Sequence, residues 1–191
     1  MKIEEAVQII KVGGIGVIKT DTLYGLVGQA LLSGVVERIY LVRKRRPSKP
    51  LIVLIEKPED VRLFGIDTNS ADFELAKKQW PGKISIILPC NQPKFEYLHR
   101  GTRTLAFRVP DNEELRNILK ETGPLVAPSV NHEGEIPAFT IPEAKAYFGN
   151  EIDFYVDAGE VVTESSTLVK IVNGKFEVLR EGAVKIQTEQ V

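Results

Sequence analysis

Five consecutive apolar residues, Leu51-Ile52-Val53-Leu54-Ile55, follow closely on a stretch with five cations in seven positions, Arg43-Lys44-Arg45-Arg46-Pro47-Ser48-Lys49. A strand wetted on one face alternates apolar and polar residues. An unbroken run of this length is therefore read as an interior strand covered on both faces. The cations then stand beside one end of a buried strand, although the whole chain carries a formal net charge of only −1. Two cations would be enough to complement a helix C-terminus, at about 0.3–1 kcal/mol each. Five repel one another, and an anionic ligand, most economically a phosphate chain, would relieve that repulsion.

The flanking sequence supplies the layers. Ile3, Ala6, Val7 and Ile10 recur at helical spacing before a Gly13-Gly14 stop signal. Gly16-Val17-Ile18 predicts a short buried strand that delivers Thr20, Asp21 and Thr22 at its carboxyl end. Val35, Val36, Ile39, Tyr40 and Arg43 mark a second helix, with Ser33 as its N-cap. Helical patterns return over Glu59–Phe64, Ala71–Gln79 and Glu113–Lys120, and Pro142 opens another helix through Phe148. Ile84–Leu88 and Thr104–Val109 predict strands separated by a polar loop holding His99 and Arg100. Leu125-Val126 leads into Ser129, and Ile152–Val156 and Thr167–Val172 predict further strands. Asn173-Gly174 before Phe176–Leu179 is a type I′ hairpin signal. No repeat, low-complexity tract or linker interrupts the pattern. A chain of 191 residues suits one core better than two. The expectation is a single α/β domain of mixed strand direction over residues 1–186, with a frayed tail at 187–191.

Composition and missing motifs remove several function classes. Hydrophobic content of 43% and charged content of 27% fit a soluble globular protein. No apolar run approaches a membrane span, and the opening Met1-Lys2-Ile3-Glu4-Glu5 lacks a signal-peptide core. Cys90 is alone, so no internal disulfide forms, and a cytoplasmic location is expected. Near-neutral charge argues against a protein that coats DNA but permits a local basic groove. Gly13-Gly14-Ile15-Gly16 precedes its strand instead of following one, which excludes the dinucleotide fingerprint, and no P-loop is present. His99 and His132 are far apart, so no resident metal is expected. Pro128 and Val130 replace the glycines of a nucleophile elbow around Ser129, and His132 reads as a solvated loop residue.

Three polar segments remain: Lys19-Thr20-Asp21-Thr22-Leu23-Tyr24-Gly25-Leu26, the basic stretch, and Ala127-Pro128-Ser129-Val130-Asn131. Taken in order they resemble the YrdC-like family of threonylcarbamoyl-AMP synthases. The first is similar to its Pro-Thr-Glu/Asp-Thr-x-Tyr-Gly-Leu, with Lys19 in place of proline. Ungapped counting from Thr22 puts Arg43 and Arg45 on its Lys-x-Arg pair and Pro50-Leu51-Ile52-Val53 on its following strand. The alternative register, Lys44 and Arg46, keeps Pro47 in its familiar place but needs an insertion and a deletion. Trp80-Pro81-Gly82-Lys83-Ile84-Ser85, Ala106-Phe107-Arg108-Val109-Pro110, Ser129-Val130-Asn131, Ser166-Thr167-Leu168-Val169 and Leu179-Arg180-Glu181-Gly182-Ala183 resemble later family segments. The chain departs from the pattern at Arg43 for lysine, Ala127 for serine, Glu133 for a usual serine, and Leu54 where longer relatives have histidine.

The resemblance implies a twisted mixed β-sheet with flanking helices around a concave basic cleft. It implies an L-threonylcarbamoyladenylate synthase, a nucleotidyltransferase that makes threonylcarbamoyl-AMP and pyrophosphate from L-threonine, bicarbonate and ATP. The product serves tRNA threonylcarbamoyladenosine modification through downstream tRNA threonylcarbamoyl-transferase proteins. By the same resemblance Arg43, Arg45, Ser129 and Asn131 are the catalytic set. Arg45, Lys49, Ser85, Ser129 and Arg180 are expected to hold ATP, and Thr22 and Ser166 to hold threonine. Mg²⁺ is expected to arrive with the nucleotide, and tRNA to bind weakly if at all. The alternative is a diverged paralogue acting as an RNA- or nucleotide-binding module without synthase activity.

Overall fold

The computed structural model describes residues 1–186, so the tail expected at 187–191 lies outside the described residues. Helix α1 (Ile3–Lys11) opens with the Glu5 carboxylate accepting from the Lys2 N–H at 3.2 Å, and it buries Ala6, Val7 and Ile10. The chain continues as β1 (Gly16–Lys19), turns over Thr20–Leu23, and returns antiparallel as β2 (Tyr24–Gln29). No strand was expected at β2, because Gly25 and Gly28 break its apolar pattern. Gly28 is there for packing: a Cβ would lie 2.5 Å from the Val35 side chain of α2 (Ser33–Val42). Ser33 is the first helical residue of α2, not its cap. Leu32 holds that position without a side-chain hydrogen bond.

Strand β3 (Ile52–Leu54) is followed by a 3₁₀ helix, Pro58–Phe64, where an α-helix was expected. Then come α3 (Ala71–Lys77) and β4 (Ile84–Pro89). The segment expected as a polar loop is instead helical, with a 3₁₀ turn at Pro93–Phe95 running into α4 (Glu96–His99). His99 is buried there. Strand β5 (Thr104–Arg108) leads to α5 (Glu113–Thr122), capped by Asn112 Oδ1 accepting from the Leu115 N–H at 2.8 Å. The remaining elements are β6 (Leu125–Val126), α6 (Ile141–Phe148), β7 (Phe154–Tyr155), β8 (Thr167–Val172) and β9 (Lys175–Arg180). Strand β7 is shorter than the expected Ile152–Val156. Between β8 and β9, Asn173 (φ +51°) and Gly174 (φ +72°) adopt the two left-handed conformations of the expected type I′ turn.

The strands form one mixed sheet in the order β7-β1-β2-β6-β3-β5-β4-β8-β9. Strand β3 sits between β6 (antiparallel) and β5 (parallel), the interior position its unbroken apolar sequence demanded. Leu51, Val53 and Ile55 pack into the larger core with Phe64, Phe95 and Phe107. Leu54 and Ile52 face the other side, toward the cluster built by α1 and α5. Strand β5 alternates in the same way. Leu105 and Phe107 enter the larger core, which leaves Thr104, Ala106 and Arg108 on the opposite face. That face carries the candidate site. Among the described residues no helix is long and apolar enough to cross a membrane.

Candidate functional site

A cavity of about 490 Å³ opens over the middle of the sheet. Its floor is a row across neighbouring strands: Ile52 of β3, Ala106 and Arg108 of β5, Ile87 of β4 and Leu168 of β8. Its rim comes from the β1–β2 turn, the start of the basic stretch, the Ala127–Ser129 segment and Ser165-Ser166. Among the described residues four arginines line it, Arg43, Arg45, Arg108 and Arg180, and no carboxylate does.

The β1–β2 turn is fixed from within. Thr20 Oγ1 donates to the Leu23 carbonyl at 2.6 Å and accepts from the Thr22 N–H at 3.1 Å. Beside the turn, Gly25 bridges to Ser129, and the Leu26 N–H donates to the Pro128 carbonyl at 2.9 Å. The Ser129 segment thus runs along β2 as an irregular extra strand. Asp21, which the sequence offers only as a turn residue, points inward and stands 3.1 Å from Arg108 Nη2, the two side chains being 1% and 4% exposed. The approach is close but oblique, and neither Asp21 oxygen nor Arg108 Nε meets hydrogen-bond geometry. Burial lowers the Arg108 pKa, Asp21 opposes that shift, and Arg180 adds to it.

Arg43 ends α2 at 3% exposure, with its side chain gripped by the Ser129 segment. Its Nε donates to the Asn131 carbonyl at 3.1 Å, and its Nη2 donates to Asn131 Oδ1 at 2.7 Å and meets Ser129 Oγ at 3.4 Å. Burial first, then the neighbouring Arg45, lowers its pKa to about 10, against the pull of Glu133. Arg45 is half-buried, its Nε and Nη2 donating to the Lys49 and Pro50 carbonyls at 3.0 and 2.8 Å. Arg180 donates to the Ser166 carbonyl at 2.7 Å and to Ser166 Oγ at 3.1 Å. Partial burial, then Arg45, lowers its pKa. Arg45 therefore opposes two other cations of the same cavity, and Arg180 opposes a third. Among the described residues no carboxylate shares the wall with them, and Asp21 and Glu133, outside the wall, offset only part of the charge on Arg108 and Arg43. This is the electrostatic signature of an anion site.

The expected residues do not all reach the cavity. Arg43, Arg45, Ser129, Arg180, Thr22 and Ser166 line it. Lys44 is exposed in a left-handed conformation (φ +50°) and Arg46 turns to Glu133, so Arg43 and Arg45 are the cavity-facing pair of the two registers. Asn131 lies behind the wall. Its Oδ1 accepts from Arg43 and from Ser129 Oγ (2.7 Å), while its Nδ2 donates to the His132 and Glu135 carbonyls at 2.8 Å each. All four of its amide positions are thereby used within the protein. Ser85 is fully buried one layer back, 3.0 Å from Ser166 Oγ. Lys49 is ion-paired with Glu133 at 2.6 Å, away from the wall. His132 is not a solvated residue but packs edge-on to Tyr147 and Phe148.

The cavity also contains groups to which the sequence reading gave no role. Arg108 was in plain view in Thr-Leu-Ala-Phe-Arg, where its phase matches Thr104 and Ala106 and not the apolar face. Thr102 and Thr104 form part of the wall. The Tyr24 hydroxyl lies between the Gly159 carbonyl (2.8 Å) and the Ala158 N–H (2.9 Å), and Thr163 Oγ1 donates to the Thr22 carbonyl. These contacts strap the Asp157–Ser166 connection onto the β1–β2 turn. Gly182 backs that strap: a Cβ there would lie 2.2 Å from the Ser165 carbonyl oxygen. Among the described residues no group of three His, Cys, Asp or Glu side chains could hold a metal ion.

The fold is that of an α/β protein whose mixed sheet bears an arginine-lined cavity. Residues 8–182 match the Sua5/YciO/YrdC family model, described as telomere recombination, and the chain belongs to that family. It is similar to the threonylcarbamoyl-AMP synthase of Pyrococcus abyssi, 28% identical over 97% of this chain and 55% of that protein. It is also similar to the threonylcarbamoyl-AMP synthase of Bacillus subtilis, 31% identical over 100% of this chain and 56% of that protein. The structure of P. abyssi Sua5 complexed with L-threonine superposes with a TM-score of 0.84 at 27% identity, covering 94% of this chain and 54% of that one. The chain thus spans about half the length of these relatives.

Proposed function

We propose that the chain is an L-threonylcarbamoyladenylate synthase, joining L-threonine, bicarbonate and ATP and releasing pyrophosphate. The observation that carries this reading is the set of four arginines that line one cavity and raise one another's electrostatic cost, only partly offset by Asp21 beside Arg108 and by Glu133 near Arg43, with no carboxylate in the wall among the described residues. A nucleotide triphosphate supplies the missing negative charge, and membership of the family supports the choice of reaction.

The chemistry asks for placement more than for a protein nucleophile. The threonine ammonium first gives up a proton, and the free amine then combines with bicarbonate, losing water, to give a carbamate. A carbamate oxygen then attacks the α-phosphorus of ATP, the bond from that phosphorus to the bridging oxygen breaks, and pyrophosphate departs with its electrons. Charge builds on the phosphoryl oxygens during this step. Fixed guanidinium forks already aimed at them lower its barrier without reorganising. Arg43 and Arg45 serve the phosphates, with Ser129 Oγ beside them on the same wall. Arg180 and Ser166 close the far side, Thr22 offers a hydroxyl to the amino acid, and Arg108 faces its carboxylate. Asn131 positions Arg43 and Ser129, and Ser85 positions Ser166. Mg²⁺ belongs to the substrate here, carried in on the phosphates, because among the described residues the wall offers it no carboxylate.

The test is pyrophosphate release by the purified chain in the presence of ATP and Mg²⁺. Release should require both threonine and bicarbonate, and omission of either should reduce it to background. Release from ATP alone at the same rate would identify a nucleotide hydrolase and overturn the synthase reading.

A further inference from the structure

Glu133 occupies the outer side of the basic stretch. Its N–H donates to the Arg43 carbonyl at 3.0 Å, tying it to the end of α2. Its carboxylate accepts from the Arg46 N–H, meets Arg46 Nε at 3.2 Å, and pairs with Lys49 Nζ at 2.6 Å. The Glu133 side chain is 14% exposed, whereas those of Arg46 and Lys49 are 72% and 50% exposed. Lys49 and Arg46 hold the Glu133 carboxyl far below its ordinary range, at about 2, so it is fully ionised at neutral pH.

The position of Lys49 gives this pairing a consequence for the cavity. Pro50 and Leu51, the next two residues, are both in the wall, and the Lys49 carbonyl receives Arg45 Nε and the Tyr40 hydroxyl. The Lys49 backbone is therefore pinned beside the phosphate-facing arginine, while its ammonium is turned outward to a carboxylate. A lysine is a point charge on a flexible four-carbon stem and exchanges partners more readily than a guanidinium fork does. An ion pair at this degree of exposure is worth only about 0.2–1 kcal/mol, so a more highly charged competitor can break it.

We infer that Glu133 is an internal stand-in for phosphate, holding Lys49 off the cavity until a bound phosphate chain takes the ammonium over. This rests on the nucleotide reading of the cavity and adds to it a built-in competitor. A purely architectural Glu133 would have the opposite effect. It would only tie the Arg46–Lys49 loop to the turn after Asn131, and its loss would loosen the loop and weaken binding.

Calorimetric titration of Mg-ATP, without threonine, into the wild-type chain, Glu133→Gln, Lys49→Ala and the double variant separates the two. Glu133→Gln is expected to bind ATP about three- to fivefold more tightly, the equivalent of one such exposed pair. The gain should disappear when Lys49 is alanine, and Glu133→Ser should repeat the behaviour of Glu133→Gln. Weaker binding by both Glu133 variants would assign Glu133 to architecture. An equal gain with and without the Lys49 side chain would assign it to plain repulsion of the ligand. Either result overturns the inference while leaving the ATP site in place. A wild-type chain that takes up no ATP would overturn the nucleotide reading and this inference together.

Discussion

Replacing Arg45 with alanine is expected to lower the turnover of pyrophosphate release by about 10²–10³, the scale of losing one well-placed transition-state donor. Arg45 stands at the electrostatic centre of the cavity, since after burial its charge is the next influence lowering the pKa of both Arg43 and Arg180. Two of its nitrogens are fixed on the Lys49 and Pro50 carbonyls, so the guanidinium is already oriented before any ligand arrives. Removing it relieves repulsion in the empty protein, and the folded state should melt no lower. A pre-oriented donor is lost nonetheless. Arg45→Lys keeps the charge without the fork and should recover only part of the rate. Steady-state pyrophosphate assays measure the effect. Turnover of Arg45→Ala within about twofold of wild type would remove this arginine from the catalytic account, being far short of the loss expected for such a donor.

Arg108→Leu should instead damage the fold, by about 3–5 kcal/mol, because it strands a buried carboxylate. Asp21 is 1% exposed and Arg108 is its only ion-pair partner among the described residues. Asp21→Asn in the Arg108→Leu background removes the stranded charge and should restore most of the lost stability. Activity should stay low in both variants, since Arg108 also forms part of the cavity floor. Urea denaturation of the two variants decides the matter. A single variant as stable as wild type would mean that Asp21 finds water or another partner, and that the pair does not hold the β1–β2 turn in place.

The sequence revealed most where the controlling physics is local or strictly periodic. Asn173-Gly174 specifies its turn through the φ values those two residues accept, and Leu51–Ile55 announces its place in the sheet because both faces must be apolar. Strand β2 was missed for the reason that makes it work. Gly25 and Gly28 erase the apolar alternation where the Thr20 side chain and α2 come close. The choice of Arg43 and Arg45 over Lys44 and Arg46 comes through the resemblance, by ungapped counting from Thr22 onto the family's Lys-x-Arg pair, and both line the cavity. Pairings between distant residues were not legible. Nothing near Asn131 in the chain shows that Arg43 and Ser129 use up its oxygen, or that the Glu135 and His132 carbonyls use up its nitrogen. Lys49 reads as a ligand-facing cation until Glu133, far along the chain, is seen beside it. Asp21 reads as a turn residue until the fold sets Arg108 against it.

The most direct test follows the carbon. The chain is incubated with ATP, Mg²⁺, L-threonine and ¹³C-bicarbonate, and the nucleotide products are separated and weighed by mass spectrometry. The account predicts an adenylate that contains threonine and one labelled carbon, formed in proportion to the pyrophosphate released and about 10²–10³-fold more slowly with Arg45→Ala. Pyrophosphate accompanied only by AMP, with no labelled adenylate at the earliest times, would contradict it.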